Sequence, residues 1–275
     1  IYRKKNYMKC KICDEIINLN KSYLYTHNKI RYYRCNNCLF VFQYPLPNNQ
    51  KLKDLYSKEY FNQNYLKKNN DFKLRKIQYK LDKKIILKYY KDKKNNKILD
   101  YGCGNGTFLK LFKSTKIGYD FNEDARVDTS IRRVSIKKVF EEKYDLIIMR
   151  GVIEHIPNFE EIIKKLSKCV NKNGLFFITA TPNSNNLTFF LSNKDFNQNH
   201  PGHLFHFNNV NLSLLFLKNS FLNIVMRYEY LDTPYANLYN DFKNLRIQLK
   251  TYKKKIKKIS PPGVGNMMTA IFKKL

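Results

Sequence analysis

The feature that most narrows the folds open to this chain is a glycine-rich turn entered from a short apolar strand. Lys97-Ile-Leu-Asp100-Tyr runs straight into Gly102-Cys103-Gly104-Asn105-Gly106-Thr107-Phe108-Leu109. Alternate glycines permit positive φ and let a ligand approach the backbone closely. The pattern predicts strand, turn and then an amphipathic helix. Thr107 stands where the dinucleotide-binding pattern has its last glycine, so the spacing is Gly-x-Gly-x-Gly. A second apolar stretch, Lys116-Ile-Gly-Tyr, ends in Asp120. An acid about 20 residues beyond the first strand can accept hydrogen bonds from a ribose diol.

The alternation continues downstream. Asp145-Leu-Ile-Ile-Met reads as a strand and leads into Arg150-Gly-Val-Ile-Glu154-His155-Ile-Pro157. Phe159, Ile162, Ile163, Leu166 and Val170 share one helical face, which Asn173-Gly174 closes. Leu175 to Ala180 is a further buried strand ending at Thr181-Pro182-Asn183. Strands alternating with helices predict an α/β fold, a doubly wound parallel sheet binding its ligand at the carboxyl ends of the strands.

Ahead of this region lie Cys10-Lys-Ile-Cys13 and Cys35-Asn-Asn-Cys38. Four thiolates from two tight knuckles suit the closed tetrahedral shell of a structural Zn2+ site. The strand-like stretches around them, Tyr23 to Tyr33 and Leu39 to Phe42, complete a small zinc ribbon. A module of that size buries little apolar surface, so a metal clip is physically expected. A full four-Cys shell leaves no open position for catalysis. Paired Cys-x-x-Cys motifs also point to a reducing, cytoplasmic setting. Cys103, inside the glycine turn, reads as a small buried filler.

These signals divide the chain into a zinc-ribbon module over 1–45, a helical connector over 46–92 and a nucleotide-type α/β domain over 93–275. In the connector, Leu52, Leu55, Tyr56, Tyr60 and Phe61 suggest a docking turn. Leu74, Ile77, Leu81 and Ile85 then recur at helical spacing, with Lys and Asp expected on the opposite face. Asn185 to Asn199 reads as a lid. A helix from Val210 to Asn219 precedes a strand from Leu222 to Tyr230. An inserted helical segment over 237–259 ends in the basic run Lys253 to Lys258.

Taken together, the motifs resemble those of the class I S-adenosylmethionine-dependent methyltransferases over roughly 93–275. Asp100-Tyr-Gly-Cys-Gly-Asn-Gly resembles the family's first motif, and Asp120 its ribose-binding acid. Val152-Ile-Glu154-His155-Ile-Pro resembles the post-strand motif, and Pro201-Gly-His203-Leu-Phe-His206-Phe the element before the last helix. Gly265 to Lys273 resembles the final antiparallel strand. The resemblance implies a Rossmann-like methyltransferase sheet with S-adenosyl-L-methionine held by Asp100, Gly102, Gly104, Gly106, Asp120 and Glu154. It implies base candidates in His155, His203 and His206, since a near-neutral imidazole can take a proton from a hydroxyl acceptor. Asp128, Glu141 and Glu142 stand open as adenine contacts. In ubiquinone-type O-methyltransferases a Glu three residues before the Glu-His pair helps bind a divalent cation. Gly151 occupies that place here, so the resemblance implies no catalytic metal.

Acceptor class is the least determined property. A four-Cys module ahead of such a domain is similar to sugar and surface-polysaccharide methyltransferases, which implies a small-molecule acceptor, a sugar or nucleotide-sugar. The net charge of +30 argues at first for nucleic acid or an anionic membrane surface. Only 10 of the 52 basic residues are Arg, the residue favoured for bidentate phosphate recognition, so a solvated lysine surface is the simpler reading. An rRNA or tRNA methyltransferase docking RNA on its zinc ribbon is the alternative, with Arg31, Tyr32, Tyr33 and Arg34 as contacts. No apolar run approaches the ~18 residues needed to span a bilayer. The opening Ile-Tyr-Arg-Lys-Lys lacks the apolar stretch of a signal peptide, and Met8 is a candidate natural start.

Overall fold

The computed structural model describes residues 6–55, 70–122, 128–192, 199–251 and 259–275. Tyr56, Tyr60, Phe61, Phe196 and the Lys253–Lys258 run lie outside the described residues. At the amino end, β1 (Tyr7–Lys9) and β2 (Ile16–Asn18) form an antiparallel pair with the first Cys knuckle between them. Asn18 then caps a short helix by accepting from the amides of Asn20 and Lys21. Strands β3 (Tyr23–His27), β4 (Ile30–Arg34) and β5 (Val41–Gln43) follow as an antiparallel meander. The second knuckle joins β4 to β5, and Leu39 turns there with φ of 59°.

The main sheet contains β6 (Lys97–Tyr101), β7 (Thr115–Tyr119), β8 (Arg132–Arg133), β9 (Tyr144–Arg150) and β10 (Val170–Pro182), all parallel. A two-residue strand, β11 (Phe205–His206), stands apart from it. Strands β12 (Phe221–Arg227) and β13 (Met267–Lys274) complete the sheet, with β13 antiparallel to both its neighbours. The seven strands run β12-β13-β10-β9-β6-β7-β8. The strand order reverses between β6 and β9, where a ligand crevice is expected.

Both faces of the sheet are covered, which explains the uninterrupted apolar runs of β9 and β10. Successive side chains alternate faces. Ile147, Met149, Phe176 and Ile178 enter one core with Phe159, Leu212 and Phe216. Leu146, Ile148, Leu175 and Phe177 enter the other with Tyr79, Ile86, Phe108 and Leu109. Phe216 stacks on Phe272 at 4.0 Å.

Two local expectations change. The amphipathic helix foreseen after the glycine turn is a single 3-10 turn, Leu109–Leu111. Its continuation is stopped at Lys113 and Ser114, whose amides both donate to the Asp92 carboxylate. In the connector helix, Asn70–Ile86, the foreseen stripe is rotated: Ile77 is exposed, whereas Gln78, Tyr79 and Asp82 are buried. Asp82 turns inward because it pairs with Arg150 of β9 at 2.9 Å.

The amino-terminal module is fused to the main domain rather than tethered to it. Strand β11 adds to β5, pairing Phe205 with Phe42 and His206 with Val41. Phe40 packs against Phe159, Phe205 and Phe207 at centroid distances of 5.7, 5.5 and 5.3 Å. Side-chain amides of Asn208 and Asn211 donate to the Cys38 carbonyl, and Lys218 donates to that of Ile12. Among the described residues no helix is long and apolar enough to cross a membrane. Phe40 is 1% exposed. Phe40→Ala should therefore cost about 3–5 kcal/mol in chemical denaturation, with one cooperative transition for module and sheet together. A separate early transition for the module would contradict a shared core.

Candidate active site

A cavity of about 290 Å³ opens at the carboxyl ends of β6, β9 and β10. Asp100, Gly102, Arg150, Gly151 and Thr179 line it from the strand ends. Arg75, Gln78 and Tyr79 face it from the connector helix, and Glu229, Thr233 and Tyr235 from the segment after β12. Gly102 holds φ of 91°, and a Cβ there would lie 2.5 Å from Val152 Cγ2. Position 102 is therefore closed to a side chain. Gly102 and Cys103 donate their amides to the Tyr119 carbonyl, tying the turn to the end of β7. Cys103 packs under Gly118, as its reading as a filler expects.

Asp120 is held in the same turn. Its Oδ2 accepts from the Gly104 amide at 2.7 Å and its Oδ1 from the Asn122 amide at 2.9 Å. Burial pushes its carboxyl up from the ordinary range, and those two amides oppose the shift. Asp100 is buried, and its Oδ1 has no hydrogen-bond partner. Burial, seconded by the charge of Asp120, pushes it up to about 7. An orphaned buried carboxylate oxygen beside a closed glycine turn is a fit for a ligand ammonium. The donor set thus suits the methionyl end of the cofactor that the motif implies.

Four charged residues at or beside the cavity, Arg75, Asp82, Arg150 and Glu229, were not singled out from sequence. Arg150 donates to Asp82 at 2.9 Å and lies 4.8 Å over the Tyr79 ring. Asp82 is fully buried and also accepts from the Gln78 side chain at 2.7 Å. Glu229 is nearly buried, and desolvation, then the charge of Asp82, pushes it up to about 7. The available signal was an acid at position 82, one turn beyond Gln78, on a helix whose exposed face is lysine.

The Glu154–His155 loop lies beyond Gly151. The His155 Nδ1–H donates to the Gly202 carbonyl at 2.8 Å, which leaves Nε2 as the unprotonated nitrogen. Burial lowers His155 to about 4, so the ring is neutral at physiological pH. Glu154 is buried, accepts from the Thr181 hydroxyl at 3.3 Å, and is pushed up to about 8 by desolvation. Glu154, His155 and His203 bring one donor atom each within 4.8 Å of one another. Such a trio can share a proton or hold a divalent cation. The rings of His155 and His203 are 4.6 Å apart, and that of His206 is 6.3 Å from His203. His206 is fully buried between Tyr32 and Phe189 in the ribbon sheet.

Of the acids left open for adenine, none lines the cavity. Asp128 pairs with Lys110, Glu141 with Lys138, and Glu142 with Arg132 and Lys97. Residues 123–127 lie outside the described residues. In the ribbon, Cys10, Cys13, Cys35 and Cys38 bring their sulfurs within 4.8 Å of one another, with contacts of 3.6 Å for Cys10–Cys38 and Cys13–Cys35. Tetrahedral zinc with Zn–S of ~2.3 Å separates its sulfurs by about 3.8 Å. The donor set is therefore compatible with zinc. Tyr32 and Tyr33, considered for stacking on RNA, are both buried, their rings stacked on Tyr25 and Phe42.

Asp100 gives a signed prediction. Its folded carboxyl keeps a proton up to about pH 7, whereas the unfolded one releases it near pH 4. Stability without ligand should fall as pH rises through that window, and Asp100→Asn should remove the Asp100 share of the fall, leaving that of Glu154 and Glu229. Melting temperatures across about pH 4 to 8 should separate the two proteins by an amount worth roughly 4 kcal/mol at the upper end. Parallel curves would contradict a raised Asp100.

The sequence matches the family described as "Methyltransferase domain" over residues 74–224, more than half of the chain. It is 27% identical over 150 residues to a ubiquinone biosynthesis O-methyltransferase of Pelagibacter ubique, covering 48% of this chain and 57% of that protein. The chain thus matches little more than half the length of that curated relative. The fold is similar to the Burkholderia thailandensis 1,6-didemethyltoxoflavin-N1-methyltransferase, crystallised with bound 1,6-didemethyltoxoflavin and S-adenosylhomocysteine. The TM-score is 0.51 at 11% identity, over 92% of this chain and 99% of that one. A possible histamine N-methyltransferase of Thermotoga maritima gives 0.50 at 12% identity, over 78% and 99%. With its strand order, closed glycine turn and matched sequence span, the chain belongs to the S-adenosylmethionine-dependent methyltransferase domain family.

Proposed function

We propose that this chain methylates a small polar acceptor, a sugar or nucleotide-sugar of surface-glycan biosynthesis, in the cytoplasm. The observation that carries the reading is the Asp100 carboxylate. It is buried and lacks a partner for Oδ1 at the edge of a small cavity rich in hydrogen-bonding groups. In this reading Asp100 receives the cofactor's ammonium, Asp120 its ribose hydroxyls, and Gly102, Gly104 and Gly106 admit it against the backbone. Bound S-adenosylmethionine supplies an electrophilic methyl on a sulfonium with a good leaving group. The chain's own residues then align the acceptor, which alone is worth ~7–11 kcal/mol, and remove a proton.

His155 is the proposed proton acceptor, through Nε2. Its Nδ1–H bond to Gly202 fixes both tautomer and ring orientation. Glu154 and His203 position it, so Glu154 acts through His155 rather than on the cofactor directly. His206 packs the ribbon against this loop. A zinc ion in the four-Cys shell is structural: it orders 1–45, the connector 46–92 brings Arg75 and Tyr79 over the cavity, and 93–275 with its 237–259 insertion performs the transfer. The buried Tyr32 and Tyr33 favour a small-molecule acceptor over RNA.

Calorimetry should detect S-adenosylmethionine binding, weakened at least about tenfold by Asp120→Ala through loss of charge-assisted hydrogen bonds. No heat with the parent protein would overturn the enzyme reading. Transfer of a labelled methyl should proceed to nucleotide-sugars and not to RNA. Labelling of RNA, with binding that falls steeply in salt, would reverse the acceptor assignment. Elemental analysis should find one zinc per chain, lost together with cooperative unfolding in Cys38→Ser.

A further inference from the structure

We propose that Gln78 and Glu229 read the methyl acceptor, and that the part of it they select carries two adjacent neutral hydroxyls. These roles rest on the methyltransferase reading above, whose cavity they supply with a substrate class. Both side chains line the cavity, Gln78 from the connector helix and Glu229 from two residues beyond β12. They are 6% and 9% exposed. The Asp82 carboxylate offers only acceptor oxygens, so the Gln78 amide nitrogen is the atom that donates to it, at 2.7 Å. Arg150 donates to the other oxygen of Asp82 at 2.9 Å. Gln78 Oε1 is left, among the described residues, as a buried acceptor without a donor. Glu229 presents a second such atom. Arg227 approaches its Oε1 to 3.5 Å, an ion pair that leaves that oxygen without a hydrogen bond among the described residues. Gln78 also acts on the Glu229 carboxyl through a side-chain hydrogen bond, so the two orphaned oxygens belong to neighbouring side chains.

A buried acceptor without a donor is costly, and a ligand hydroxyl at each oxygen removes that cost. Burial, seconded by the charge of Asp82, raises the Glu229 carboxyl. A carboxyl poised to hold or release its proton suits a hydroxyl, which donates as well as accepts, better than an ammonium, which only donates. Charge points the same way. Arg150 engages Asp82, Arg227 engages Glu229, and Arg75 adds a further guanidinium to the lining. Asp100 is assigned to the cofactor ammonium, so no carboxylate of the lining remains for a cationic acceptor. The two oxygens are also held in place. Asp241 is buried and accepts from the Tyr230 hydroxyl at 2.6 Å and from the Ser260 amide at 2.7 Å. It thereby ties the segment that carries Glu229 to Pro261 and Pro262, which line the cavity. Likewise, Asp82 and Arg150 fix the Gln78 amide. A preorganised pair of acceptors rejects an analogue that lacks one hydroxyl, because a buried oxygen is then left unpaired.

Saturation-transfer NMR titrations of the full chain loaded with S-adenosylhomocysteine test this with cis-cyclohexane-1,2-diol, cyclohexanol and cyclohexylammonium. The diol should bind at least about tenfold more tightly than either of the others. Gln78→Leu and Glu229→Leu should each bring diol binding down to the level of cyclohexanol. Glu229→Gln keeps an acceptor oxygen and should retain the preference for the diol. Calorimetry should find S-adenosylhomocysteine binding within about twofold of the parent in all these variants, which a general collapse of the cavity would not allow. Equal affinity for diol and cyclohexanol, or no diol binding, would overturn the proposal. Tighter binding of cyclohexylammonium would overturn the neutral-hydroxyl class. An undiminished diol preference in both leucine variants would overturn the assignment to Gln78 and Glu229. A parent chain that does not bind S-adenosylhomocysteine would instead sink the methyltransferase reading beneath it.

Discussion

The structure depends on the backbone of one residue, Leu204. Its amide donates to the Glu154 carbonyl at 2.9 Å, and its own carbonyl accepts from the Gln43 amide at 2.9 Å. One side of that bridge is the loop that carries His155, and the other is the last strand of the ribbon. Phe205 and His206 extend the bridge into a fourth strand of the ribbon sheet, and Asn208 and Asn211 reach the second Cys knuckle. Anything that disorders the knuckle therefore loosens the loop at the catalytic edge. A metal held by the four sulfurs, with no open coordination position, would act on the site along this route: Phe40 and Gln43 hold Leu204, and Leu204 holds the Glu154 backbone. Backbone hydrogen bonds and packed rings suit this task because neither is screened by salt.

The cavity and its surroundings combine costly groups. Asp82, Asp100, Glu154 and Glu229 are all nearly or fully withdrawn from water; Asp82 pairs with Arg150 at 2.9 Å and Glu229 with Arg227 at 3.5 Å. A buried carboxylate without a cation costs several kcal/mol or takes up a proton, and the upward shifts of Asp100 and Glu154 are that second outcome. Arg150 does not neutralise Asp100, because Asp82 already engages it and the Tyr79 ring shields its other face. The arrangement leaves Asp100 without its own counter-charge, a state that a cationic ligand relieves. The same lack of a counter-charge that lowers stability in the empty protein would favour a cationic ligand, which is the usual trade at a functional site.

Most of the fold was legible because it is carried by local signals that tertiary contacts reinforce. The glycine turn, the apolar runs of β9 and β10 and the acid at 120 each state their role within a few residues. The Cys-x-x-Cys pairs do so as well, since their spacing alone brings four sulfurs together. What was not legible is long-range. Asp82 looked like a member of a lysine-rich outer face until Arg150, 68 residues away, drew it inward and rotated the helix with it. Glu229 follows an ordinary edge strand, and only the crossing of β13 beside β10 brings it to the cavity. The partnership of β11 with β5 joins Val41 and Phe42 to residues more than half the chain away and rests on two residues, too short a strand to announce itself. The 3-10 turn after Gly106 likewise depends on Asp92, whose carboxylate claims the amides that a longer helix would have used.

The distribution of charge then bears on how ligands arrive. Among the described residues the cations are overwhelmingly on the surface, whereas the cavity holds acids and arginines in near balance, with one arginine already paired. The excess therefore contributes little to recognition inside the site. It acts instead as a long-range positive field that concentrates anions near the molecule and weakens as salt screens it. Phosphate-bearing acceptors and anionic lipid surfaces are both drawn by such a field, and neither needs the bidentate arginines that a nucleic-acid groove would use. Under the proposed function, a lysine surface would bring a small anionic acceptor close and leave discrimination to the buried carboxylates and the neutral imidazole of His155.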